Sequence, residues 1–284
     1  MAWLRRNGLN VYAALAIFYM LVPIAVIAVF SFGETPRDRL NFALSDGFTL
    51  EYWQHAFAIE EINDALRKSV QLATLSTVIS TLIGTLMAIA LVRYEFFGRR
   101  VSNLLIILPM ATPEIVIGAS MLSMFIYYTI PLGFTTLLIA HVMFSISFVV
   151  VVVRSRLIGF DRSLEEAARD LGATPLDTFR LVTLPLIMPA VVAAALLAFA
   201  LSLDDFVISN FNSGTTVTFP LYVYGVALRG IPVQVNAIAT MIFIVTVVAI
   251  MLVIWQQRRA ARMAAVRPED DTGPFVPAPG VAGG

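Results

Sequence analysis

Residues 161–189 read DRSLEEAARDLGATPLDTFRLVTLPLIMP and form a long polar island between two strongly apolar runs. This pattern predicts two short helices joined by a turn. Ser163, followed three residues later by Glu166, predicts a capping box at the start of the first helix, and Gly172 predicts the turn that ends it. Thr174 is the expected N-cap of the second helix. A two-helix projection on an otherwise apolar chain is typical of a docking element.

The composition of the chain is that of a membrane protein. Of its 284 residues, 59% are hydrophobic and 13% are charged, with a mean hydropathy of +0.85. Soluble domains carry about 25% charged residues, so this chain is expected to lie in a bilayer. With zero net charge and Lys68 as the single lysine, it offers no basic surface for nucleic acid. The absence of cysteine and the wide separation of the two histidines predict neither a disulfide framework nor a metal site.

Six apolar segments are each long enough to cross about 30 Å of hydrocarbon. The fold class predicted from them is an all-α integral membrane protein with six transmembrane helices and a cytoplasmic two-helix coupling loop. Pro109 and Pro113 interrupt the third segment, where a kink or a break is expected. A short helix is expected after Thr49. The approximate bounds of the segments are 11–32, 69–92, 101–127, 133–153, 185–207 and 235–255.

The distribution of Lys and Arg predicts the orientation of the chain. Fourteen of the 19 basic residues lie on the N-terminal side of the bilayer if six segments cross it. The positive-inside rule therefore places both termini and the polar island in the cytoplasm. The expected organisation is a cytoplasmic N-terminus (1–10), a transmembrane domain (11–255) that includes the loop 154–184, and a cytoplasmic, disordered tail (256–284) rich in Pro, Gly and Ala near its end.

The island also carries a family motif. Glu166-Ala167-Ala168, Gly172 after three residues, and Leu184-Pro185 after a further eleven resemble the EAA loop of ABC-importer permeases. The family pattern is EAA-x3-G-x9-I-x-LP, and the one departure is Val182 in place of Ile. The resemblance covers most of residues 10–255, includes the stretches RSRLIGFD, LSLDD and NAIAT, and points to the polyamine (spermidine/putrescine) permeases of this family.

This resemblance implies a subunit of a larger machine. Two permeases would form the pathway, two cytoplasmic ATPase subunits would drive it, and an extracytoplasmic polyamine-binding protein would deliver the substrate. The residues that would contact the ATPase are those of the motif, Glu166, Ala167, Ala168, Gly172, Leu184 and Pro185. The chain has no P-loop, so we expect no cofactor and no catalysis on it, with ATP bound by the partner subunits.

Charged residues inside a membrane span are candidates for a substrate pathway, because burying a charge there is costly. Three acids lie in such positions, Glu114 in the third segment and Asp204 and Asp205 in the fifth, and a count of helical rise puts them at similar depth in the outer half. No Lys or Arg occurs in 108–130 or 200–228. Unpaired acids at one level suit a cationic substrate, with the aromatic rings of Phe211 and Tyr222 as further contacts. His141 is a weaker candidate, expected to be a structural residue hydrogen-bonded to Ser145.

Several alternatives remain open at this point. Asp204 and Asp205 would also suit the capping of a helix break, and Glu114 would suit the backbone freed by Pro113. An importer of another small solute has the same motif. A proton-coupled secondary carrier would use the acids as a relay but leaves the two-helix loop unexplained. A membrane enzyme is disfavoured because no nucleophile and base are paired in the sequence.

Overall fold

The computed structural model of the chain describes residues 2–33, 47–228 and 231–265. Within them the structure is almost entirely helical, and the chain divides into two compact units, Met1–Ala56 with Pro232–Gly284, and Phe57–Ile231. The α-helices are α1 (Ala2–Phe30), α2 (Glu51–Gln54), α3 (Glu60–Arg93), α4 (Arg99–Ala111), α5 (Glu114–Tyr127), α6 (Phe134–Ile158), α7 (Ser163–Asp170), α8 (Pro175–Thr178), α9 (Leu184–Asp204), α10 (Val207–Asn212), α11 (Phe219–Ala227) and α12 (Val233–Ala265). A π-helical turn, Phe179–Thr183, joins α8 to α9.

The first unit contains α1, α2 and α12. Helices α1 and α12 contact each other, and α2 contacts α12. The ring of Phe32, just after α1, stacks on Trp53 of α2 with centroids 4.9 Å apart. The short helix predicted after Thr49 is therefore confirmed as α2, and the Thr49 hydroxyl accepts a hydrogen bond from the N–H of Glu51 at its start.

The second unit is built on three mutually packed helices, α3, α6 and α9. Small residues let α3 and α6 approach closely: a Cβ on Gly84 would lie 2.7 Å from Cγ1 of Val149. Small side chains at helix contacts are typical of membrane proteins, where packing replaces the hydrophobic effect as the driving force. The apolar core of the three helices includes Ala88, Leu91, Val149, Val150, Val153, Leu157, Ile187, Ala194 and Ala198.

The interruption predicted in the third span is present as a break. Helices α4 and α5 meet at an angle of 112°. Thr112, between them, is extended (ψ 135°) because a residue that precedes proline is driven out of the helical region, and Pro113 caps α5. Pro109, by contrast, lies inside α4. The depth predicted for Glu114 assumed one straight helix from the start of the span. That assumption is wrong, because the chain changes direction at Thr112, two residues before Glu114.

Four helical stretches in the described residues are long and apolar enough to cross a bilayer, or five if the bent pair counts as one span. Four of these five correspond to the first, second, fourth and fifth predicted spans, and the bent pair corresponds to the third. The sixth predicted span falls in α12, of which only Val233–Val248 is classed as a shorter apolar helix. The six-span count stays a prediction.

The predicted disordered tail begins too early. Helix α12 continues to Ala265, so residues 256–265 are helical. Their sequence, QQRRAARMAA, consists of strong helix formers without Gly or Pro, which explains the continuation. Residues 266–284 lie outside the described residues. So do Arg37, Arg39 and Arg229, three of the five basic residues that the predicted orientation places on the outer side.

Candidate functional site

The two predicted helices of the loop 154–184 are present as α7 and α8. The predicted capping box at the start of α7 is wrong, because Ser163 is already helical and its side chain makes no cap bond. Asp161 takes that place, accepting a hydrogen bond from the N–H of Ser163 at 2.9 Å. This bond lowers the pKa of the Asp161 carboxyl below its usual value, because it stabilises the charged form.

The predicted turn at Gly172 is confirmed. Gly172 has φ +87°, a left-handed conformation that favours glycine. Its N–H donates to the carbonyl of Arg169, and the N–H of Ala173 donates to that of Ala168 at 3.0 Å. These two bonds form a Schellman motif, which satisfies the last carbonyls of α7 and reverses the chain.

The second helix begins as predicted and then continues further than expected. The hydroxyl of Thr174 accepts a bond from the N–H of Asp177 at 3.2 Å, with Pro175 at the first helical position. Helix α8 passes through the π-helical turn directly into α9, so no loop separates the projection from the span. The N–H of Leu184 bonds to the carbonyl of Phe179, a wider turn that accommodates Pro185 without ending the helix.

The motif residues divide by exposure. Glu166, Ala167, Gly172 and Pro185 are exposed, whereas Ala168 and Leu184 are half-buried against the rest of the loop and the span. Four leucines of the same projection are also strongly exposed, namely Leu164 (49%), Leu171 (90%), Leu176 (73%) and Leu181 (71%). Several exposed leucines on a polar loop are typical of a surface that binds another protein.

The sequence interpretation missed Glu165, which is the anchored acid of this loop. Its Oε1 lies 2.7 Å from Nη2 of Arg93 at the end of α3 and accepts a bond from the Thr183 hydroxyl at 2.5 Å. The guanidinium of Arg93 also lies over the Phe160 ring, 5.2 Å from its centroid. One signal in the sequence could have indicated it. Glu165 and the small Ala168 are three residues apart and therefore share one face of α7, which the structure shows to be its more buried face.

The three acids predicted at similar depth are brought to one region of the second unit. Glu114, at the start of α5, interacts electrostatically with both Asp204 and Asp205, at the end of α9. Helix α10, which follows Asp205, packs along α5. Glu114 and Asp204 are exposed, but Asp205 is only 8% exposed. The predicted grouping of the acids is thus supported, although only two of the three are accessible.

Asp205 is occupied by bonds within the protein. Its two carboxylate oxygens accept hydrogen bonds from the N–H groups of Ile208 and Ser209, at 3.2 and 2.8 Å, so it caps α10. Its Oδ2 also lies 3.4 Å from Nε2 of the buried His141. The alternative that Asp205 caps the helix break is therefore confirmed by its hydrogen bonds. A direct role of Asp205 in the pathway stays a prediction and would require these bonds to open.

His141 is a hydrogen-bonded structural residue, as predicted, but with different partners. Its Nδ1 lies 2.8 Å from the hydroxyl of Ser202 and its Nε2 lies 3.0 Å from that of Ser209. Ser202 in turn accepts a bond from Ser76 of α3 at 2.9 Å. Ser145, the predicted partner, makes no hydrogen bond with its buried hydroxyl. This hydrogen-bond network joins α3, α6, α9 and α10 next to Asp205.

The two predicted aromatic contacts lie in different places. Phe211 of α10 packs on Gly118 of α5, where an added Cβ would lie 2.9 Å from its Cδ2. Tyr222 is half-buried on α11. Phe211 therefore supports the packing of α10 on α5 next to the acids, whereas Tyr222 belongs to a different helix.

Glu114 and Asp204 together offer two negative groups on an accessible surface. This arrangement suits the binding of a cation with separated charges. Within the described residues, no group of three or more His, Asp or Glu side chains is placed to hold a metal ion. The site residues thus support recognition by charge.

Comparison with known proteins identifies the family. The model of the family "Binding-protein-dependent transport system inner membrane component" matches residues 80–264. The chain is similar to the spermidine/putrescine transport system permease protein PotC of Haemophilus influenzae, with 36% identity over 86% of this chain and 93% of that protein. It is also similar to PotC of Escherichia coli K12 (38% identity, covering 82% and 87%) and to the putrescine transport system permease protein PotI of the same strain (34%, covering 79% and 81%).

Solved structures agree on the fold. A bacterial ABC transporter involved in the import of the acidic polysaccharide alginate contains a chain with a TM-score of 0.64 and 20% identity, covering 90% of this chain and 98% of that one. A chain of an amino acid ABC transporter has a TM-score of 0.55 and 18% identity, covering 74% and 100%. The chain therefore belongs to the binding-protein-dependent transport system inner membrane components and is a multi-pass inner-membrane permease subunit of an ABC importer, a transport component rather than an enzyme.

Proposed function

We propose that the chain forms half of the translocation pathway of an ATP-driven importer of polyamines such as spermidine and putrescine. The observation that carries the proposal is the pair of exposed carboxylates, Glu114 and Asp204, which interact electrostatically and form no ion pair with a basic side chain in the described residues. Similarity to permeases named for spermidine and putrescine supports the same substrate class.

The chemistry of a polyamine fits these two acids. Its ammonium groups are separated by methylene chains, so it requires carboxylates at intervals with apolar surface between them. Glu114 on α5 and Asp204 on α9 supply two carboxylates on different helices, and neither forms an ion pair with a basic side chain in the described residues. Phe211 and Tyr222 remain candidate aromatic contacts, and Asp205 is a candidate only if its internal bonds open.

The proposed arrangement has six transmembrane spans with both termini in the cytoplasm. A second, homologous permease completes the pathway, two cytoplasmic ATPase subunits hydrolyse ATP, and an extracytoplasmic polyamine-binding protein delivers the substrate. The distribution of Lys and Arg supports this orientation, since 14 of the 19 basic residues then lie on the cytoplasmic side.

The loop 154–184 is the proposed contact with the ATPase. Its exposed leucines supply apolar area, and the exposed Glu166 supplies a charge for a basic partner. The half-buried Ala168 and Leu184 and the turn at Gly172 hold the two helices at a fixed angle, and Pro185 lies where the projection enters α9. Because α8 runs into α9 without a loop, a displacement of the projection is passed directly to the helix that ends at Asp204.

The test is uptake of labelled spermidine and putrescine by the assembled complex in proteoliposomes. In Asp204→Asn and Glu114→Gln, we expect the KM for spermidine to rise about tenfold, equivalent to about 1.4 kcal/mol of lost attraction. Asp64→Asn is the matched control. Asp64, on α3, is also an exposed acid, but its Oδ2 lies 2.7 Å from Nζ of Lys68, with which it forms an ion pair. Its KM should not change.

An unchanged KM in both Asp204→Asn and Glu114→Gln would rule out the two acids as the cation site. Transport of a neutral solute in preference to spermidine by the wild-type complex would favour another substrate for the same importer. A secondary carrier is no longer a competing proposal, because the chain belongs to a family of ABC-importer components.

A further inference from the structure

Three separate parts of the chain meet at the carboxylate of Glu165. Arg93, the last residue of α3, approaches its Oε1 to 2.7 Å, and Thr183, in the π-helical turn before α9, donates its hydroxyl to the same oxygen. The side chains of Arg93 and Glu165 are only 12% and 14% exposed. We refer to Arg93, Glu165 and Thr183 as the Glu165 clasp.

A second set of contacts reinforces the clasp from the other side of the loop. Phe160, at the end of α6, lies under the Arg93 guanidinium. Arg162, just before α7, donates through Nη2 to the carbonyl of Val92 at 3.3 Å, near the C-terminal end of α3, where carbonyls lack helical partners. The beginning of the two-helix loop is thus bound to α3, although α4, α5 and α6 separate the two in the chain.

Helix α3 carries this attachment into the membrane. It packs along both α6 and α9, with Gly84 against Val149 and the Ser76 hydroxyl bonded to Ser202. Through the chain itself, the loop is attached to α6 before α7 and to α9 after the π-helical turn. The clasp adds the third of the three packed helices, α3, to these two.

We propose that Glu165 is a positioning residue that makes α3 move as one body with the two-helix loop. Displacement of the loop by its cytoplasmic partner is then transmitted to α3, α6 and α9 together instead of bending the loop away from α3. The inference rests on the proposed contact between the loop and an ATPase. A shielded ion pair suits this purpose, because separating it leaves a poorly hydrated charge without a partner.

A different ion pair near the same end of α3 provides a matched control. Glu95 and Arg99 lie 3.8 Å apart, and the Glu95 side chain is 95% exposed. Such a solvated pair contributes little, so its removal should not affect the mechanics of the loop. The comparison of Glu165→Ala with Glu95→Ala thus separates the clasp from the general loss of a glutamate at this surface.

The first measurement is the amount of solute transported per ATP hydrolysed by the complete complex in proteoliposomes. In Glu165→Ala we expect the ATPase to co-purify normally and to hydrolyse ATP, while solute moved per ATP falls at least about fivefold. Glu95→Ala should keep the wild-type ratio. A wild-type ratio in Glu165→Ala, or loss of the ATPase from that complex, would overturn the proposal, the latter because Glu165 would then be an ATPase contact.

A second experiment does not depend on the stability of the alanine variant. The chain has no cysteine, so Arg93→Cys together with Glu165→Cys introduces one specific thiol pair. If the loop and α3 move as one body, a short bifunctional thiol reagent that joins them should preserve transport, whereas the unlinked double variant should show the low ratio. Inhibition of transport by the cross-link would show that the two parts must separate and would refute the clasp.

Failure of the proposed function can be distinguished from failure of the clasp. If the wild-type complex does not import polyamines, the ratio is measured with whichever solute its binding protein delivers, and the clasp is tested unchanged. If the wild-type chain does not associate with an ATPase, the proposed function itself fails, before any variant is compared.

Discussion

The segment from α7 to Asp205 contains two pairs of consecutive acids, one near each end, and both pairs divide in the same way. In the loop, Glu165 is half-buried beside Arg93, with 14% of its side chain exposed, while Glu166 is exposed. At the far end of α9, Asp205 is buried beside His141 while Asp204 is exposed. One acid of each pair holds the structure together, which leaves its neighbour free for a partner or substrate.

The two shielded acids differ in how they are held. Glu165 pairs with a guanidinium that is always charged, and the bond joins α3 to the loop. Asp205 receives two backbone N–H groups in addition to the imidazole and caps α10. The first acid therefore serves as a link between moving parts, whereas the second fixes a turn. The comparison predicts that a variant of Asp205 lowers stability, that a variant of Glu165 lowers coupling, and that variants of the two exposed acids weaken binding of a partner or substrate.

The largest effect is expected for Asp205→Ala. This change leaves two N–H groups at the start of α10 without an acceptor, a loss of about 1–3 kcal/mol for each buried group. It also removes one of the polar neighbours of the buried His141. The apparent melting temperature and yield of the purified complex should fall sharply. Asp204→Ala, the exposed neighbour, should keep both. Equal melting temperatures for the two variants would break the proposed division of roles.

A charge reversal at Glu166 should affect assembly with little effect on the fold. Glu166→Lys places a positive charge on the exposed surface of α7, where a basic partner would be repelled. We expect loss of ATPase co-purification and at least a tenfold fall in uptake, with the melting temperature of the permease pair unchanged. Asp170→Lys, on the same short helix, tests whether any reversal of charge suffices. Normal assembly of Glu166→Lys would remove Glu166 from the contact.

Much of this architecture could be predicted because it depends on local sequence. The apolar runs located the helices, Pro113 located the break, and Gly172 and Thr174 located the turn and the second cap. These features are set within a few residues by backbone sterics, hydrogen bonding and hydropathy.

The choice within each acidic pair could not be predicted, because it depends on distant partners. Arg93 lies 72 residues before Glu165, and His141 contacts Ser209, 68 residues further along the chain. Neighbouring residues in a helix point about 100° apart, so a small difference in register decides which acid meets its partner. The same reason explains why Ser145 was the wrong partner for His141, since proximity along one helix does not show what packs against it.

A smaller effect is expected from Gly172→Ala. This variant tests whether the angle between α7 and α8 affects the contact that the exposed Glu166 is proposed to make. No atom lies within 4 Å of the added Cβ, so the cost is that of φ +87° alone, about 1–2 kcal/mol. The Schellman turn should loosen, with a modest fall in solute moved per ATP. Gly172→Asn is the control, because asparagine tolerates the left-handed region. If both variants behave as wild type, the turn does not set the coupling.

The smallest effect is expected at the two predicted helix caps, which differ in the structure. Thr174 caps α8 through the N–H of Asp177, so Thr174→Ala should cost about 1 kcal/mol and lower the melting temperature of the complex slightly. Ser163 is already helical, and its N–H and hydroxyl instead bond to the exposed Asp161, so Ser163→Ala should cost less than Thr174→Ala. Helix α7 also begins beside the Glu165 clasp, which secures it independently of a cap, whereas α8 has only Thr174 at its start. A larger loss for Ser163→Ala than for Thr174→Ala would show that α7 depends on its serine and that the clasp does not hold it.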